Sequence, residues 1–273
     1  MAVPGVASGA TLEEIRQRGY MVVATQVDCP PFEYVVSGQL QTTHEPRDVP
    51  AGYDNDLLTA LRKTAGFAIR QEIVPWPSLL AGVAAGRYDA ALTAAVITER
   101  DAQTVDFTIP VADATMAYVK RKGDFSIRSV ADLAGKTLGV QEAGASLAVL
   151  PQLAAQLKTA GGSLGNIVQF TSYAAAYEAL VSHRVDAVIN NHDSLAQLVS
   201  ETAGLLELGG RVGARSYAAW AVAKGNRGLR DFLNDYLERQ KANGTVRRLQ
   251  VKYDLTFVEL PDRPLLPGGR TVH

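Results

Sequence analysis

Short apolar runs alternate with amphipathic segments along most of the chain, and Gly, Pro or Asn often separates them. Tyr20–Thr25 and 185–190 are two of the apolar runs, with the length and composition of buried strands. The first amphipathic segment opens on a capping box made by Thr11 and Glu14. Strands that alternate with helices predict an α/β fold of doubly wound, largely parallel sheets.

Polar residues mark the places where several helices are predicted to begin. Asp54 and Asp193 each precede a run with helical apolar spacing, and we interpret both as N-caps. Thr98 opens a predicted short helix, and the next predicted strand covers residues 114–121. Residues 35–52 are rich in turn formers and predict a polar hairpin or loop.

A four-residue pattern occurs twice in the same context. Arg87-Tyr88-Asp89-Ala90 and Arg184-Val185-Asp186-Ala187 each stand between a predicted helix and an apolar strand. The repeated helix–RxDA–strand unit predicts two similar α/β lobes that face each other. A cleft between them would bring strand carboxyl ends and helix N-termini together, where polar ligands commonly bind.

Length and charge limit the possible functions. The 273 residues suit two lobes of about 100–150 residues each. A net charge of −1 lacks the basic excess of a nucleic-acid partner, and no apolar run approaches the roughly 20 residues of a membrane helix. Cys29 is the single cysteine, so no internal disulfide is expected. Residues 1–10 lack a basic start and an apolar core, and we do not expect a signal peptide there.

An ordered string of short motifs extends from residue 11 to about residue 253. It consists of 12–25, Pro31-Phe32-Glu33-Tyr34, Gly52-Tyr53-Asp54-Asn55-Asp56-Leu57, 76–83 leading into 86–90, Ile97-Thr98 with Asp106-Phe107, 129–140, 184–189, Lys224-Gly225 and Asn243-Gly244-Thr245. In this order and spacing the motifs resemble the bacterial extracellular solute-binding proteins of family 3, the polar amino acid type.

The resemblance implies two doubly wound α/β lobes joined by a two-strand hinge, the venus-flytrap arrangement of type II periplasmic binding proteins. Lobe 1 would then cover residues 11–114 and 212–260, lobe 2 would cover 115–211, and 261–273 would form a C-terminal tail. A ligand would close the lobes because the closed state alone lets both faces contact it.

The family pattern places several ligand-binding candidates on lobe 1. Cys29 occupies a loop position that is commonly aromatic in relatives, with Gln26 and Asp28 beside it. Trp76 matches a second aromatic position, although a Trp between two prolines can also simply pack beneath a loop. The Thr93–Ala94 backbone is a candidate acceptor for a ligand amine. Asp28 could equally be a surface charge, which is the interpretation we favour for Glu33.

The T-x-x-R motif that clamps an α-carboxylate in relatives is altered in this chain. The corresponding residues are Thr98, Glu99, Arg100 and Asp101, so a gap-free match puts Asp101 where the Arg belongs. A shift of one residue would aim Arg100 into the cleft instead, and a solvated helix charge is the simpler role for Arg100. Both arrangements remain open at this point.

Lobe 2 departs from the family pattern as well. Asn191 stands where relatives carry an Asp for the α-ammonium group, and His192 follows it. Gln141, Glu142 and Ser146 belong to a loop that offers backbone N–H groups in relatives. Ser146 as a plain helix cap is the simpler interpretation of that residue.

We therefore expect a binding protein without a cofactor, which delivers a small polar solute to the membrane permease subunits of an ABC importer. The solute would be an amino acid or an amino-acid-like metabolite, including a modified or cationic one, and the protein a periplasmic or extracytoplasmic monomer. One alternative is a periplasmic enzyme resembling cyclohexadienyl (prephenate/arogenate) dehydratase, with Glu142 or Asp28 as general acid. A ligand-sensing module is another. No metal-ligand spacing is visible among the four histidines.

Overall fold

Two five-stranded sheets organise the computed structural model, which describes residues 9–38, 47–266 and 270–271. The strands are β1 Tyr20–Thr25, β2 Asp28–Cys29, β3 Glu33–Gly38, β4 Arg47–Ala51, β5 Ala68–Ile73, β6 Ala90–Val96, β7 Val105–Asp113, β8 Met116–Arg121, β9 Leu138–Gln141, β10 Ile167–Phe170, β11 Ala187–Asn191, β12 Leu206–Val212, β13 Tyr217–Ala223, β14 Leu265–Leu266 and β15 Arg270–Thr271. The helices are α1 Leu12–Arg18, α2 Tyr53–Arg62, α3 Trp76–Ala84, α4 Ala145–Ala148, α5 Leu150–Thr159, α6 Tyr173–Val181, α7 His192–Glu201, α8 Arg227–Ala242 and α9 Thr245–Lys252.

The two sheets share one topology. Sheet 1 has the order β5-β1-β6-β13-β7 and sheet 2 the order β10-β9-β11-β8-β12. In each sheet the first three strands are parallel and the last two are antiparallel to their neighbours. Helices pack buried apolar side chains on both faces, with α2, α8 and α3 on sheet 1 and α5, α6 and α7 on sheet 2. The predicted α/β fold with doubly wound sheets is confirmed.

The repeated RxDA pattern has the same geometry in both sheets. The Asp89 N–H donates to the Val22 carbonyl at 2.9 Å, and the Asp89 carboxylate accepts from the Val22 N–H at 2.6 Å. Asp186 makes the same pair of bonds with Thr137, each at 2.8 Å. Each Asp therefore joins the central parallel strand to its neighbour, which explains why the residue type recurs.

The chain passes between the sheets at two adjacent places. β7 in sheet 1 continues into β8 in sheet 2, and β12 in sheet 2 leads back to β13 in sheet 1. Hydrogen bonds tie the two crossings together, from the Ala114 N–H to the Ser216 carbonyl at 2.9 Å and from the Ser216 hydroxyl to the Ala114 carbonyl at 2.7 Å.

Two strands of the five-stranded sheets were absent from the prediction. β7 contains Pro110, which cannot donate to a ladder, and polar residues interrupt its apolar sequence. Pro110 is tolerated because β7 is an edge strand of sheet 1. β12 contains Gly209 and Gly210, which weaken the strand pattern in the sequence.

Two predicted helix caps were wrong. The N-cap of α2 is Gly52, and Asp54 is the second residue of the helix, buried at 1% exposure. The N-cap of α7 is Asn191, whose side-chain oxygen accepts from the Asp193 and Ser194 backbone N–H groups. In both places the choice of cap depends on what surrounds the helix start in space, which local spacing does not encode.

The structure describes part of the predicted loop at residues 35–52 and part of the predicted C-terminal tail. β3 and β4 form the predicted hairpin around residues 35–52, of which 39–46 lie outside the described residues. The predicted tail is attached to sheet 1 at Leu265, which is 6% exposed and packs in the same apolar cluster as Trp76. Its residues 267–269 and 272–273 lie outside the described residues. No helix among the described residues is long and apolar enough to span a bilayer.

Gly52 holds the start of α2 against the strand that follows the Pro-Pro turn. Its φ of 111° lies in a region that favours glycine, and an added Cβ would stand 2.3 Å from the Phe32 carbonyl oxygen. The Asp54 N–H donates to that same carbonyl at 3.1 Å. This close approach brings Asp54 to the side of Glu33.

We predict that Gly52→Ala lowers the free energy of unfolding by about 3 kcal/mol, because strained backbone alone costs about 1–3 kcal/mol and the Cβ clash adds to it. Gly19→Ala is the matched control, since Gly19 has a φ of 79° but nothing within 4 Å of an added Cβ. It should cost about 1 kcal/mol. Urea unfolding measures both, and equal losses would contradict the assigned role of Gly52.

Candidate functional site

A cavity lies between the two sheets, where strand ends and helix starts from both sides meet. About 40 Å³ of it is open to the centre of a water-sized sphere. The residues that line it are Gln26, Cys29, Phe32, Trp76, Ala94, Val96, Ala114, Met116, Gln141, Ala145, Tyr173, Asn190, Asn191 and Ala218. The wall is thus mostly apolar and aromatic, and its polar side chains are uncharged, as in many small-molecule sites.

The structure brings some of the predicted site residues to this cavity and leaves others outside its lining. The predicted residues in the lining are Gln26, Cys29, Trp76, Ala94, Gln141 and Asn191. Those outside it are Asp28, Thr93, Thr98, Arg100, Asp101, Glu142, Ser146 and His192.

Several lining residues were missed in the sequence. Phe32 belongs to the quoted PFEY motif but was not considered as a wall residue. Tyr173 begins α6 directly after its N-cap Ser172, a signal that the helix-start argument could have used. Met116 and Ala114 come from the crossing between the sheets, and small or apolar strand residues of this kind carry no chemical signal in a sequence.

Two buried amide groups in the wall have an atom without a hydrogen-bond partner. Gln26 is 7% exposed, and its side-chain oxygen Oε1 has no partner within the described structure. The amide nitrogen of Gln26 is used by Glu33, to which it donates. Gln141 is 2% exposed, and its Nε2 has no partner there either. Buried polar atoms are normally paired, so both atoms are open positions for a ligand.

Two buried carboxyl groups stand behind the sheet 1 side of the cavity. Glu33 is 3% exposed, which contradicts its predicted surface position, and it accepts a hydrogen bond from the Thr93 hydroxyl. Asp54 accepts from the Trp220 indole N–H at 3.3 Å and from the Ala94 backbone N–H. Burial, aided by the neighbouring Asp54, raises the pKa of Glu33, and burial raises the pKa of Asp54 to about 7.

Thr93 and Ala94 are therefore engaged with these carboxyl groups. The Thr93 hydroxyl donates to Glu33 and the Ala94 N–H to Asp54. Ala94 still contributes to the cavity wall, whereas the Thr93 side chain does not.

Asp28 contacts the opposite side of the cleft. Its carboxylate accepts from the backbone N–H of Tyr173, the first residue of α6. Burial raises its pKa despite that hydrogen bond. Asp28 lies beside the cavity in a smaller adjoining depression that shares Cys29 and Asn190 with it.

The residues of the altered T-x-x-R motif form hydrogen bonds with one another. The Arg100 guanidinium makes two hydrogen bonds to the Asp101 carboxylate, from Nε at 2.9 Å and from the terminal nitrogen at 3.1 Å. The Thr98 hydroxyl donates to the same carboxylate at 2.6 Å. Arg100 also donates to the Ala143 carbonyl, and its guanidinium is not part of the cavity lining. Asp101, at 8% exposure, is held away from the lining as well.

The Ala143 carbonyl accepts a second hydrogen bond from the sheet 1 side. The Trp76 indole Nε1 donates to the Ala143 carbonyl at 3.0 Å. Ala143 has a φ of 54°, a left-handed conformation that is unusual for a residue other than glycine. This turn points its carbonyl toward the Trp76 and Arg100 donors.

The start of α7 also differs from its prediction. The Asn191 side chain caps the helix, and its Nδ2 reaches the Asp113 carbonyl at 3.4 Å, so its polar atoms are used. Asp193 accepts from the Thr256 N–H at 2.9 Å and from the Thr256 hydroxyl at 2.5 Å. His192 stands 3.1 Å from Asp193 through its Nδ1 and does not line the cavity.

The remaining lobe 2 candidates have structural partners or face solvent. Ser146 is fully buried and accepts from the Gln141 N–H at 2.9 Å, whereas the N-cap of α4 is Gly144. The cap assignment for Ser146 was therefore wrong. Glu142 is exposed.

Cys29 keeps its proton in this environment. Burial, which outweighs the hydrogen bond with Ser194, raises the pKa of the Cys29 thiol to about 12. Its sulfur lies 3.4 Å from the Ser194 hydroxyl of α7. Within the described part of the chain, no group of three or more His, Cys, Asp or Glu side chains is arranged to hold a metal ion.

Comparison with known proteins gives a consistent result. The family model of "Bacterial extracellular solute-binding proteins, family 3" matches residues 21–256. The L-cystine-binding protein TcyJ of Escherichia coli (strain K12) is 23% identical over 254 residues, covering 93% of this chain and 89% of the relative. The putative ABC transporter arginine-binding protein 2 of the same strain is 26% identical over 234 residues, with 84% and 88% covered.

A solved structure shows the same likeness. The P235GK mutant of ArgBP from T. maritima has a TM-score of 0.73 and 26% sequence identity. The match covers 89% of this chain and 98% of that one.

The raised pKa of Asp54 predicts how stability depends on pH. The folded protein retains a proton that an unfolded Asp releases near pH 3.9, so stability should fall as the pH rises from about 4 to about 7. Asp54 alone contributes at most about 1.4 kcal/mol per pH unit to this slope. Asp54→Asn should flatten this fall, measured by urea unfolding across the range.

Asp231→Asn serves as the control for losing one formal charge, because the Asp231 side chain is 61% exposed on α8. Asp231→Asn should leave the decrease in the free energy of unfolding between pH 4 and pH 7 unchanged. A wild-type profile that rises from pH 4 to pH 7, with no difference in Asp54→Asn, would contradict the assigned protonation.

Proposed function

The chain belongs to the bacterial extracellular solute-binding proteins, family 3, and we propose that it captures a small polar solute in the cavity for an ABC importer. The observation that carries this proposal is a partly closed cavity between two sheets that share two chain crossings. The similarities also confirm the predicted fold class, the venus flytrap of type II periplasmic binding proteins.

We propose the lobe boundaries from the strand membership of the two sheets. Lobe 1 would comprise residues 11–114 and 212–260, and lobe 2 residues 115–211. The paired crossings at Ala114 and Ser216 would act as the hinge, because they are the adjacent connections between the sheets. A short hinge tied by two hydrogen bonds favours rotation of the lobes as rigid bodies.

Direct contacts between the proposed lobes support a closed state with the cavity formed. Trp76 and Arg100 of lobe 1 donate to the Ala143 carbonyl of lobe 2. On another side, Thr256 of lobe 1 donates to Asp193 of lobe 2. These bonds form only when the lobes meet, so a ligand that bridges both walls adds its own contacts to them.

We propose binding and delivery without chemistry. The candidate general acids of the enzyme alternative are poorly placed for it, because Glu142 is exposed and Asp28 accepts a backbone hydrogen bond beside the cavity. A dehydratase needs an acid within reach of the bound substrate. No observation favours the sensing module over transport.

The proposed partners are the permease subunits of an importer, and the proposed location is periplasmic or extracytoplasmic. The family description and the names of the bacterial relatives support both proposals. We propose that the protein acts as a monomer, because each lobe has its own apolar cores and the cleft is complete within one chain.

A ligand screen combined with small-angle scattering tests the proposed function. A thermal-shift screen of amino acids, amino-acid amides, betaines and polyamines should find at least one compound that raises the unfolding temperature. That compound should reduce the radius of gyration with 1:1 stoichiometry, as lobe closure requires. A protein that no small polar solute stabilises or compacts would contradict delivery of such a solute.

The contact between Thr256 and Asp193 predicts a second effect. Thr256→Val removes one hydroxyl hydrogen bond from the closed state and should weaken binding of the ligand found in the screen by about five-fold, since such a bond contributes about 1 kcal/mol. Thr159→Val on α5 also removes a hydroxyl bond, but to a neighbouring backbone carbonyl, and should leave affinity unchanged. Unchanged affinity in Thr256→Val, measured by titration calorimetry, would refute this contribution to closure.

A further inference from the structure

We infer that the cavity selects a small organic cation that carries an N–H donor and an uncharged hydrogen-bond acceptor but no carboxylate. This inference rests on the proposed function and narrows its ligand class. It is carried by the unpartnered amide atoms of Gln26 and Gln141, the acidic surroundings of the cavity and the missing carboxylate clamp.

No Arg, Lys or His side chain among the described residues lines the cavity, so a ligand carboxylate would meet no positively charged partner there. Asp101 stands at the motif position that the family pattern reserves for the clamping Arg, and it accepts two of the three hydrogen bonds that Arg100 donates. Arg100 gives its further donor to the Ala143 carbonyl. A ligand carboxylate in this cavity would lose its water without a charged partner, which is costly.

The two unpartnered amide atoms define what the ligand must present. Gln26 Oε1 on the sheet 1 side needs a donor, and Gln141 Nε2 on the sheet 2 side needs an acceptor. Both side chains are more than nine-tenths buried and line the cavity. A ligand with an N–H group at one end and a carbonyl, hydroxyl or ether oxygen at the other satisfies both and bridges the two walls.

The charge of the donor follows from the groups around Gln26. Gln26 donates its own amide to Glu33, and Asp54 lies beside Glu33. Among the described residues, Glu33 and Asp54 form no ion pair, and Asp28 forms none either. Burial favours the protonated forms of Glu33 and Asp54 in the empty cavity. A positively charged ligand group placed beside them favours their ionised forms, to which it is then attracted in the low dielectric of the interior.

The other charged groups near the cavity do not reverse this preference. Asp113, at the end of β7, faces Arg215, whose Nε lies 3.5 Å away and whose side chain is 53% exposed. Trp76 and Tyr173 add aromatic surface to the wall, and aromatic faces attract cations. A positively charged amine or guanidine head therefore fits the Gln26 side better than a neutral one.

A set of four compounds on one carbon skeleton isolates each charge. For alanine, glutamine and leucine, the free amino acid is the zwitterion, the amino-acid amide is the cation, the N-acetyl acid is the anion and the N-acetyl amide is neutral. Titration calorimetry at about pH 6.5, where an α-amino group of pKa about 7.7–8.0 is protonated, compares the four on the unmodified protein. We expect the cation to bind about ten-fold tighter than the zwitterion and the neutral compound, and the anion not to bind.

Each outcome decides a different question. Binding of the zwitterion, the neutral compound or the anion as tightly as the cation overturns the inference and leaves solute binding intact. Binding of no compound on any skeleton overturns the proposed function together with the inference. A trimethylated form of the best amide keeps the charge without the N–H group. We expect it to bind about ten-fold weaker, and equal affinity would overturn the donor requirement.

Two variants test the assigned atoms. Gln26→Met keeps the size of the side chain and removes the acceptor, so the best cation should bind about ten-fold weaker. Gln141→Met should weaken it similarly by removing the donor. Gln17→Met is the control, because Gln17 is an exposed residue of α1 that bonds only to Glu13 at 3.2 Å. Full affinity in both folded cavity variants would overturn the assignment.

Discussion

The close approach of Gly52 to the Phe32 carbonyl is the constraint on which the character of the cleft depends. The start of α2 packs directly against the strand after the Pro-Pro turn. Because of this contact, Glu33 and Asp54 lie side by side in the interior. Two buried carboxyl groups require donors, and Thr93, Ala94, Gln26 and Trp220 supply some of them, while Glu33 Oε1 and Asp54 Oδ2 have no partner among the described residues. The Gln26 oxygen, also unpartnered there, lines the cavity in front of these carboxyl groups.

Arg100 contributes no positive charge to the cavity lining. A guanidinium donates hydrogen bonds to carboxylates and carbonyls, and Arg100 donates to the Asp101 carboxylate and the Ala143 carbonyl. Arg100, which precedes the position of the clamping Arg in the family pattern, instead joins the sheet 1 side of the cleft to Ala143.

The sequence predicts the frame well and the polar atoms of the site less well. The RxDA pattern is readable because each Asp acts on the strand beside its own, a role that recurs identically in both sheets. Asp54 and Asn191 show the opposite case. An Asp before a helical run predicts a cap, yet Asp54 is buried beside Glu33, and only the distant Trp220 and Ala94 explain its position. Whether Asn191 meets ligand or caps α7 likewise depends on partners that local spacing does not reveal.

The internal repeat also explains how one scaffold can present two different walls. The bonds that fix the sheets lie at the Asp of each RxDA unit, at the beginning of the central strand. The cavity residues lie at the other end, on Ala94 and Val96 of β6 and on Asn190 and Asn191 of β11. Each of these strands therefore carries the Asp that bonds to the neighbouring strand at one end and residues of the cavity wall at the other. The two ends are separate, so the same bond at the RxDA end occurs with different residues at the cavity end, Ala and Val on β6 and two Asn on β11.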